Sequence, residues 1–338
     1  MRKIIIRADG CYNIGFGHIY RMISFCHVLS KKFDIIFISH SSPEFLSDEL
    51  KKLKIPLFNV SEINYSLPDE KNSEDEVPYD MSEFVKGDEI VILDGYWFGA
   101  TFQKSIKKSG AKLVLIDDLQ SGKIYADLVI NSLPSANPNQ FDAQSYTQFA
   151  LGLNYIFLRP AFLRNAKKLD NIVDDTLEIK NVLICFGGSD SKGVTISTLK
   201  EVVKFNRFQK IYVVIGHSFL HYEEMEKIVD SRINIKISID DEQFVDLLEK
   251  IDLAIVPASG VMIESLSMRK TVIAGMYAKN QEKQLKDYID LNAVISAGYF
   301  SSEEICNALN ASFKIKKKVP KIIDGLSGDR LFSLIQNL

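Results

Sequence analysis

Only four cysteines occur in 338 residues, Cys11, Cys26, Cys185 and Cys306, and no two stand as a C-x-x-C pair. That scatter excludes a zinc ribbon and a disulfide framework, and it reads as separate thiols in a reducing compartment. No uncharged apolar run approaches the ~20 residues that cross a bilayer. The three isoleucines at 4–6 are too short for the core of a secretory signal, so the expected location is cytoplasmic. Neither charge sign dominates: 41 Lys and Arg face 44 Asp and Glu, a net −3, which leaves no footprint for nucleic acid and no basic membrane face. There is no Gly-Lys-Ser/Thr P-loop, no D-x-D pair and no histidine cluster, so neither a metal nor another cofactor is expected.

The remaining composition, 46% apolar and 25% charged, is that of a globular protein long enough for two domains. Short Ile/Val-rich runs alternate with helical patterns. Strands are predicted at Lys3–Arg7, Asp34–Ser39, Glu89–Leu93, Lys112–Ile116 and Asp127–Ile130, with helices at His18–Ser30 and Ser42–Leu53. Ser42 is the expected N-cap of the latter, with Pro43 in its first position. The stretch 62–88 carries Pro68, Pro78 and the run Glu74-Asp75-Glu76, and reads as a solvated loop.

The pattern restarts at Asn181–Phe186 and continues through strands at Lys210–Ile215, Ile233–Ile239, Leu253–Val256 and Thr271–Ala274. Helices are predicted between them at Phe219–Val229, Asp241–Glu249 and Val261–Met268. The expected fold is α/β, with two doubly wound, Rossmann-like parallel-sheet domains: 1–160, a linker 161–180, 181–325 and a C-terminal helix 326–338. Two such domains in tandem lead us to expect a ligand between them, at the carboxyl ends of both sheets.

Chemistry concentrates where strands end. After the first strand, Gly15 and Gly17 flank Phe16, and His18 opens the helix, so free backbone N–H groups meet a candidate general base. Asp9, at the strand tip, is placed to orient His18, to hold a sugar hydroxyl or simply to form a turn. Asp94, Tyr96 and Trp97 follow another strand: Tyr96 is a candidate donor to substrate, Trp97 is read as packing. Of Asp117 and Asp118, at the next strand end, one is expected to be structural. In the second half Gly187-Gly188-Ser189-Asp190 forms a phosphate-competent turn. Ser259-Gly260 starts a helix that carries Glu264 one turn in, a carboxylate suited to ribose hydroxyls. Asn280 and Gln281 are candidates for phosphate or sugar.

Arg7-Ala8-Asp9-Gly10 with Ile14-Gly15-Phe16-Gly17-His18-Ile19-x-Arg21 resembles the opening of the UDP-2,4-diacetamido-2,4,6-trideoxy-β-L-altropyranose hydrolases of pseudaminic acid biosynthesis. The resemblance continues at Asp94-x-Tyr96, Asp117-Asp118, Arg159 with Phe162, Gly187 to Asp190, Ser259 to Glu264 and Asn280-Gln281. It implies a GT-B fold and metal-independent release of free sugar from UDP. It also implies that His18 activates water, assisted by Asp9 and Tyr96, that Glu264 sits on the ribose and that backbone near Ile239 holds the uracil. Gly15, Phe16, Gly17, Arg21, Asp94, Gly187, Gly188, Ser189, Ser259, Gly260, Asn280 and Gln281 complete the implied substrate contacts. Gly260 departs from the Ser or Thr usual in that family, and 62–88 has no clear counterpart there. Spore-coat polysaccharide proteins carry a related opening. The alternatives are a GT-B glycosyltransferase, whose histidine would activate an acceptor hydroxyl, and a silent UDP-sugar-binding module. The expected partner is a UDP-sugar alone, without nucleic acid or membrane, for a monomer or weak homo-oligomer.

Overall fold

The computed structural model describes residues 2–10, 16–40, 43–60, 81, 83–120, 122–169, 178–187, 190, 192–217, 219–315 and 321–338. The chain divides into two compact units, Met1–Pro160 with Leu326–Leu338, and Ala161–Gly325.

The first unit runs β1 (Lys3–Ala8), α1 (Gly17–Leu29), β2 (Asp34–Ser39), α2 (Glu44–Lys52), β3 (Leu57–Asn59), β4 (Ile90–Asp94), α3 (Ala100–Lys108), β5 (Lys112–Ile116), β6 (Lys123–Ile124), β7 (Leu128–Asn131), β8 (Asp142–Ala143) and β9 (Gln148–Leu151). Among the described residues its main sheet has seven strands in the order β3-β2-β1-β4-β5-β7-β9, with the six pairings all parallel. Strands such as Ile4-Ile5-Ile6 and Ile90-Val91-Ile92-Leu93 are apolar at consecutive positions because both sheet faces are covered. Ile4 and Ile6 pack under α1 with Met22, Phe25 and Cys26, while Ile5 and Leu93 join Phe98, Phe102 and Ile106 on the other face.

The second unit runs α4 (Pro160–Lys168), β10 (Asn181–Cys185), α5 (Val194–Val202), β11 (Lys210–Ile215), α6 (Tyr222–Glu226), β12 (Ile233–Ile237), α7 (Asp241–Lys250), β13 (Leu253–Pro257), α8 (Gly260–Ser267), β14 (Thr271–Gly275), α9 (Glu282–Asp290), β15 (Ile295–Ser296) and α10 (Ser302–Ser312). Its six-stranded parallel sheet has the order β12-β11-β10-β13-β14-β15. The last helix, α11 (Ser327–Gln336), belongs to the first unit: Leu331 and Ile335 enter the core beneath α1, and the Phe332 ring meets Phe33 at 5.8 Å.

Several expectations are corrected. Pro43 is the N-cap of α2, one position before the helix; Ser42, its expected cap, lies outside the described residues, as do most of 62–88 and residues 170–177 of the expected linker. The start of that linker is helical, because Ala161, Phe162 and Ala166 form one buried face of α4. The helix expected over Phe219–Val229 contracts to five residues, and the strand expected to reach Ile239 ends at Ile237. The short strands β3, β6, β8, β9 and β15, of two to four residues, have too little sequence to show a period, and only the sheet they join defines them.

In both units the strand order reverses beside the first strand, between β1 and β4 and between β10 and β13. Loops leaving the carboxyl ends of such a pair diverge to opposite faces and open a crevice, the usual ligand position of open α/β sheets.

Candidate active site

At the β1/β4 crevice the structure gathers side chains from four elements. Asp94, the last residue of β4, is fully buried. His18, in the first turn of α1 and 7% exposed, places Nδ1 2.8 Å from Asp94 Oδ1. Arg21, one turn on, grips the same carboxylate through both ends of its fork, Nε to Oδ2 at 2.8 Å and Nη2 to Oδ1 at 2.5 Å. Its Nη1 donates to both oxygens of Asp118, at 3.0 and 2.8 Å. Burial alone would push the Asp94 carboxyl up. The Arg21 guanidinium and His18 outweigh it and hold the group at about 2, so Asp94 is a carboxylate at neutral pH. For Arg21, burial is likewise overcome by Asp118 and Asp94, and its guanidinium is held more firmly protonated than usual.

With Asp94 ionised, Nδ1 of His18 carries the proton and donates it, which fixes the imidazole plane and leaves Nε2 basic. Among the described residues no hydrogen bond reaches Nε2. Two aromatic rings wall the imidazole, Tyr96 at 4.7 Å and Trp97 at 5.8 Å, both edge to face.

The role expected for Asp9 is corrected. It is fully buried beside Arg7, with which it pairs. Oδ1 also accepts from the backbone N–H of His40 at 2.6 Å, and Oδ2 from the Trp97 indole at 3.1 Å. Asp9 therefore fixes Trp97, and Asp94 orients the histidine. Trp97 is likewise more than packing, since it links that buried pair to the wall around His18. Gly95 permits this: a Cβ there would lie 2.7 Å from the indole ring. Sequence spacing concealed the His18–Asp94 pair because 76 residues separate its members; the signal available was that Asp94 and His18 bracket the crevice of adjacent strands. Asp117 is the structural member of its pair: its carboxylate accepts from the N–H groups of Leu119 and Gln120. Gly17 begins α1 with no side-chain cap, and Phe16 precedes it; Gly15 lies outside the described residues.

The β10/β13 crevice is furnished differently. Gly187 sits at φ +81°, a left-handed turn suited to glycine; Gly188 and Ser189 lie outside the described residues. Asp190, the last residue of the expected phosphate turn, reaches the start of α5, accepting from Val194 N at 3.0 Å and Thr195 N at 2.7 Å. Across the crevice α8 begins after Ser259 with no side-chain cap, so the N–H of Gly260 opens a helix end of positive potential. Glu264 is 7% exposed on that helix, one turn in. Gln281 turns inward, its amide oxygen accepting from Tyr277 N at 3.0 Å, whereas Asn280 is exposed. Ile239 lies half-buried between β12 and α7, beyond Ser238 at φ +49°. The structure thus gathers His18, Arg21, Asp94, Tyr96 and Asp9 in one unit and Gly187, Ser259, Gly260 and Glu264 in the other. Among the described residues no group of three or more His, Cys, Asp or Glu is arranged to hold a metal ion, and no helix is long and apolar enough to cross a membrane.

No protein-family model matches the chain. Among curated proteins it is 30% identical over 321 residues to an uncharacterized protein of Methanocaldococcus jannaschii, covering 89% of this chain; the chain spans 62% of that relative's length. It is 25% identical over 286 residues to the UDP-2,4-diacetamido-2,4,6-trideoxy-beta-L-altropyranose hydrolase of Campylobacter jejuni, covering 83% of this chain and 93% of that one. A spore coat polysaccharide biosynthesis protein of Bacillus subtilis is 22% identical over 347 residues, covering 98% and 97%. Among solved structures, Acinetobacter baumannii MurG superposes with a TM-score of 0.65 at 12% identity, covering all of both chains. A complex of Staphylococcus aureus MnaA with UDP gives 0.62 at 11%, covering 100% and 96%. These structural likenesses show the fold: the two Rossmann-like units are those of a GT-B protein.

Proposed function

We propose that the protein is an enzyme of surface-polysaccharide biosynthesis that hydrolyses a UDP-linked diacetamido-trideoxy hexose, in nonulosonic (pseudaminic) acid formation or a related route, to UDP and free sugar. The observation that carries this is the His18–Asp94 pair, an imidazole held through Nδ1 at 2.8 Å from the carboxylate, with Nε2 as the ring nitrogen turned to other work. The Campylobacter jejuni relative is named for this reaction, and the GT-B fold is compatible with it.

In this reading Nε2 takes a proton from water as the water oxygen attacks the anomeric carbon. The bond from that carbon to the β-phosphate oxygen breaks, its electron pair leaves with UDP, and the anomeric configuration inverts. The imidazolium then returns its proton to solvent. Tyr96, whose ring lies 4.7 Å from the imidazole, donates to the sugar or its phosphate. The second unit holds the nucleotide, with the diphosphate at the uncapped start of α8 and the left-handed turn at Gly187, and the ribose hydroxyls on Glu264. Uracil is held by backbone near Ile239. The protein acts in the cytoplasm.

Hydrolysis in ¹⁸O-water tests it. Without any acceptor, UDP should form together with free sugar labelled at the anomeric oxygen, sampled before that oxygen exchanges with solvent. Label in the β-phosphate, or UMP with sugar 1-phosphate, would overturn the reading.

A further inference from the structure

Arg21 is the guanidinium hydrogen-bonded to Asp94 beside His18, and a cation there invites assignment to the substrate diphosphate. Its hydrogen bonds point elsewhere. Nε and one N–H of Nη2 donate to Asp94 and Nη1 donates to both oxygens of Asp118, so four of its five N–H groups are engaged by these two carboxylates, while the guanidinium lies 5.7 Å from the Phe157 ring centroid. The guanidinium is planar, so two carboxylates on different edges fix its rotation as well as its position. Asp118 is itself held. Asp117, before it, folds its carboxylate over Leu119 N and Gln120 N, and Asn131 at the end of β7 donates to the Asp117 carbonyl at 2.6 Å. The framework thus runs from the end of β7, through the turn after β5, across Arg21 of α1, to Asp94 at the end of β4 and so to His18.

We propose that Asp118 is a positioning residue for the His18 base, acting through Arg21 and Asp94, and that Arg21 belongs to this framework and is not a ligand of substrate phosphate. The inference rests on the function proposed above only for the task the base performs. Arg21 Nη2 also lies 3.3 Å from His18 Nδ1, where it competes with the imidazole for Asp94 Oδ1 if it rotates. Asp118 draws the guanidinium to the far side and leaves that oxygen to accept from both. The remaining charges nearby, Arg7 and Asp9 behind Trp97, pair with each other. Asp118 is 26% exposed at its side chain, so its ion pair adds little to stability and its worth lies in orientation.

The test compares Asp118→Asn, Asp118→Glu and Arg21→Lys with wild type, by turnover of a UDP-sugar and by proton NMR of the His18 Nδ1–H in histidine-labelled protein. In Asp118→Asn, kcat should fall on the order of 10–100-fold with KM held within about twofold, the penalty of a loosened base. Asp118→Glu should recover part of it, and Arg21→Lys, which cannot span two carboxylates, should not. The low-field Nδ1–H signal should weaken in Asp118→Asn. Added to His18→Asn, the Asp118 change should cost nothing further, because its only route to the reaction is gone. A loss confined to KM would make Arg21 a substrate ligand and overturn the proposal. So would wild-type kcat, or a lowered melting temperature with an unchanged imidazole signal. If the wild type turns over no UDP-sugar, the proposed function fails by itself; the NMR comparison still decides the framework, a weakened signal supporting it and an unchanged one overturning it.

Discussion

At the β1/β4 crevice of the first unit three carboxylates, two guanidinium groups and an imidazole are buried or half-buried in two hydrogen-bonded groups, Arg7 with Asp9 and His18 with Asp94, Arg21 and Asp118, which meet where Trp97 packs on the imidazole. At the β10/β13 crevice of the second unit the described residues offer backbone groups, a left-handed glycine and an uncapped helix start, beside two carboxylates, Asp190 bonded to the start of α5 and Glu264 on α8. The same strand reversal builds both, so topology supplies a crevice and leaves its chemistry to the side chains. A network of buried charges is stiff and specific, which suits a group that must accept a proton from one direction. Backbone N–H groups are neutral and fixed by the fold, which suits a bulky anion that must bind and leave.

The sharpest way to break this contrast is His18→Asn. It should lower kcat on the order of 10²–10⁴-fold while UDP affinity, which the proposal assigns to the other unit, stays as in wild type. Kinetics with calorimetric UDP titration checks both halves, and a parallel loss of UDP binding would erase the division of labour.

Next in size is Asp94→Asn. Neutralising one partner of a buried pair leaves Arg21 and His18 without their shared negative charge, and should cost about 3–5 kcal/mol in urea unfolding. The pH dependence follows from the same group. Its carboxyl is held at about 2 against an ordinary 3.8, so its stabilising contribution is complete above pH ~4 and is lost as the pH falls toward 2. Wild type should lose most of that increment as the pH falls from about 4 to about 2, and Asp94→Asn should lack it.

How far the two crevices were legible in the sequence follows the same line. The apolar strands β1, β2, β4, β5, β10, β11, β13 and β14 declare themselves through continuous Ile, Leu and Val, and the glycines and His18 that follow β1 mark the first crevice. The pairing of His18 with Asp94 did not show, because it depends on β4 lying beside β1, a register that only the folded sheet defines. Asp9 misled for a related reason. Proximity in sequence to His18 placed it in the mechanism, while its oxygens point to Arg7, His40 and Trp97. In the second unit Gly187–Asp190 read as a phosphate-competent turn, and a sequence does not reveal that Asp190 reaches forward to the start of α5.

Smaller effects sharpen the second unit. If Glu264 accepts both ribose hydroxyls, 2′-deoxy-UDP should bind wild type about 1–3 kcal/mol more weakly than UDP, and Glu264→Ala should remove most of that difference in a competition titration. Asp190→Ala should cost about 0.5–2 kcal/mol of stability, the worth of a helix cap, with His18 chemistry untouched. The smallest expected effect is none at all: excess EDTA should leave turnover unchanged, and a loss restored by Mg²⁺ or Mn²⁺ would replace the helix-end account of the diphosphate with a metal.

The helix α11 sets an order of events in synthesis. Most of the unit it completes is made before the second unit, yet the covering for α1 arrives only after all of the second unit has been made. Until Leu331, Phe332 and Ile335 emerge, the apolar surface around Phe33 and Leu29 stays exposed in a nascent chain whose later half already has the residues to fold. The unit translated first is therefore the last to be finished, and a ribosome that stalls before residue 331 leaves a fragment with an open seam along α1, the kind of surface that chaperones hold.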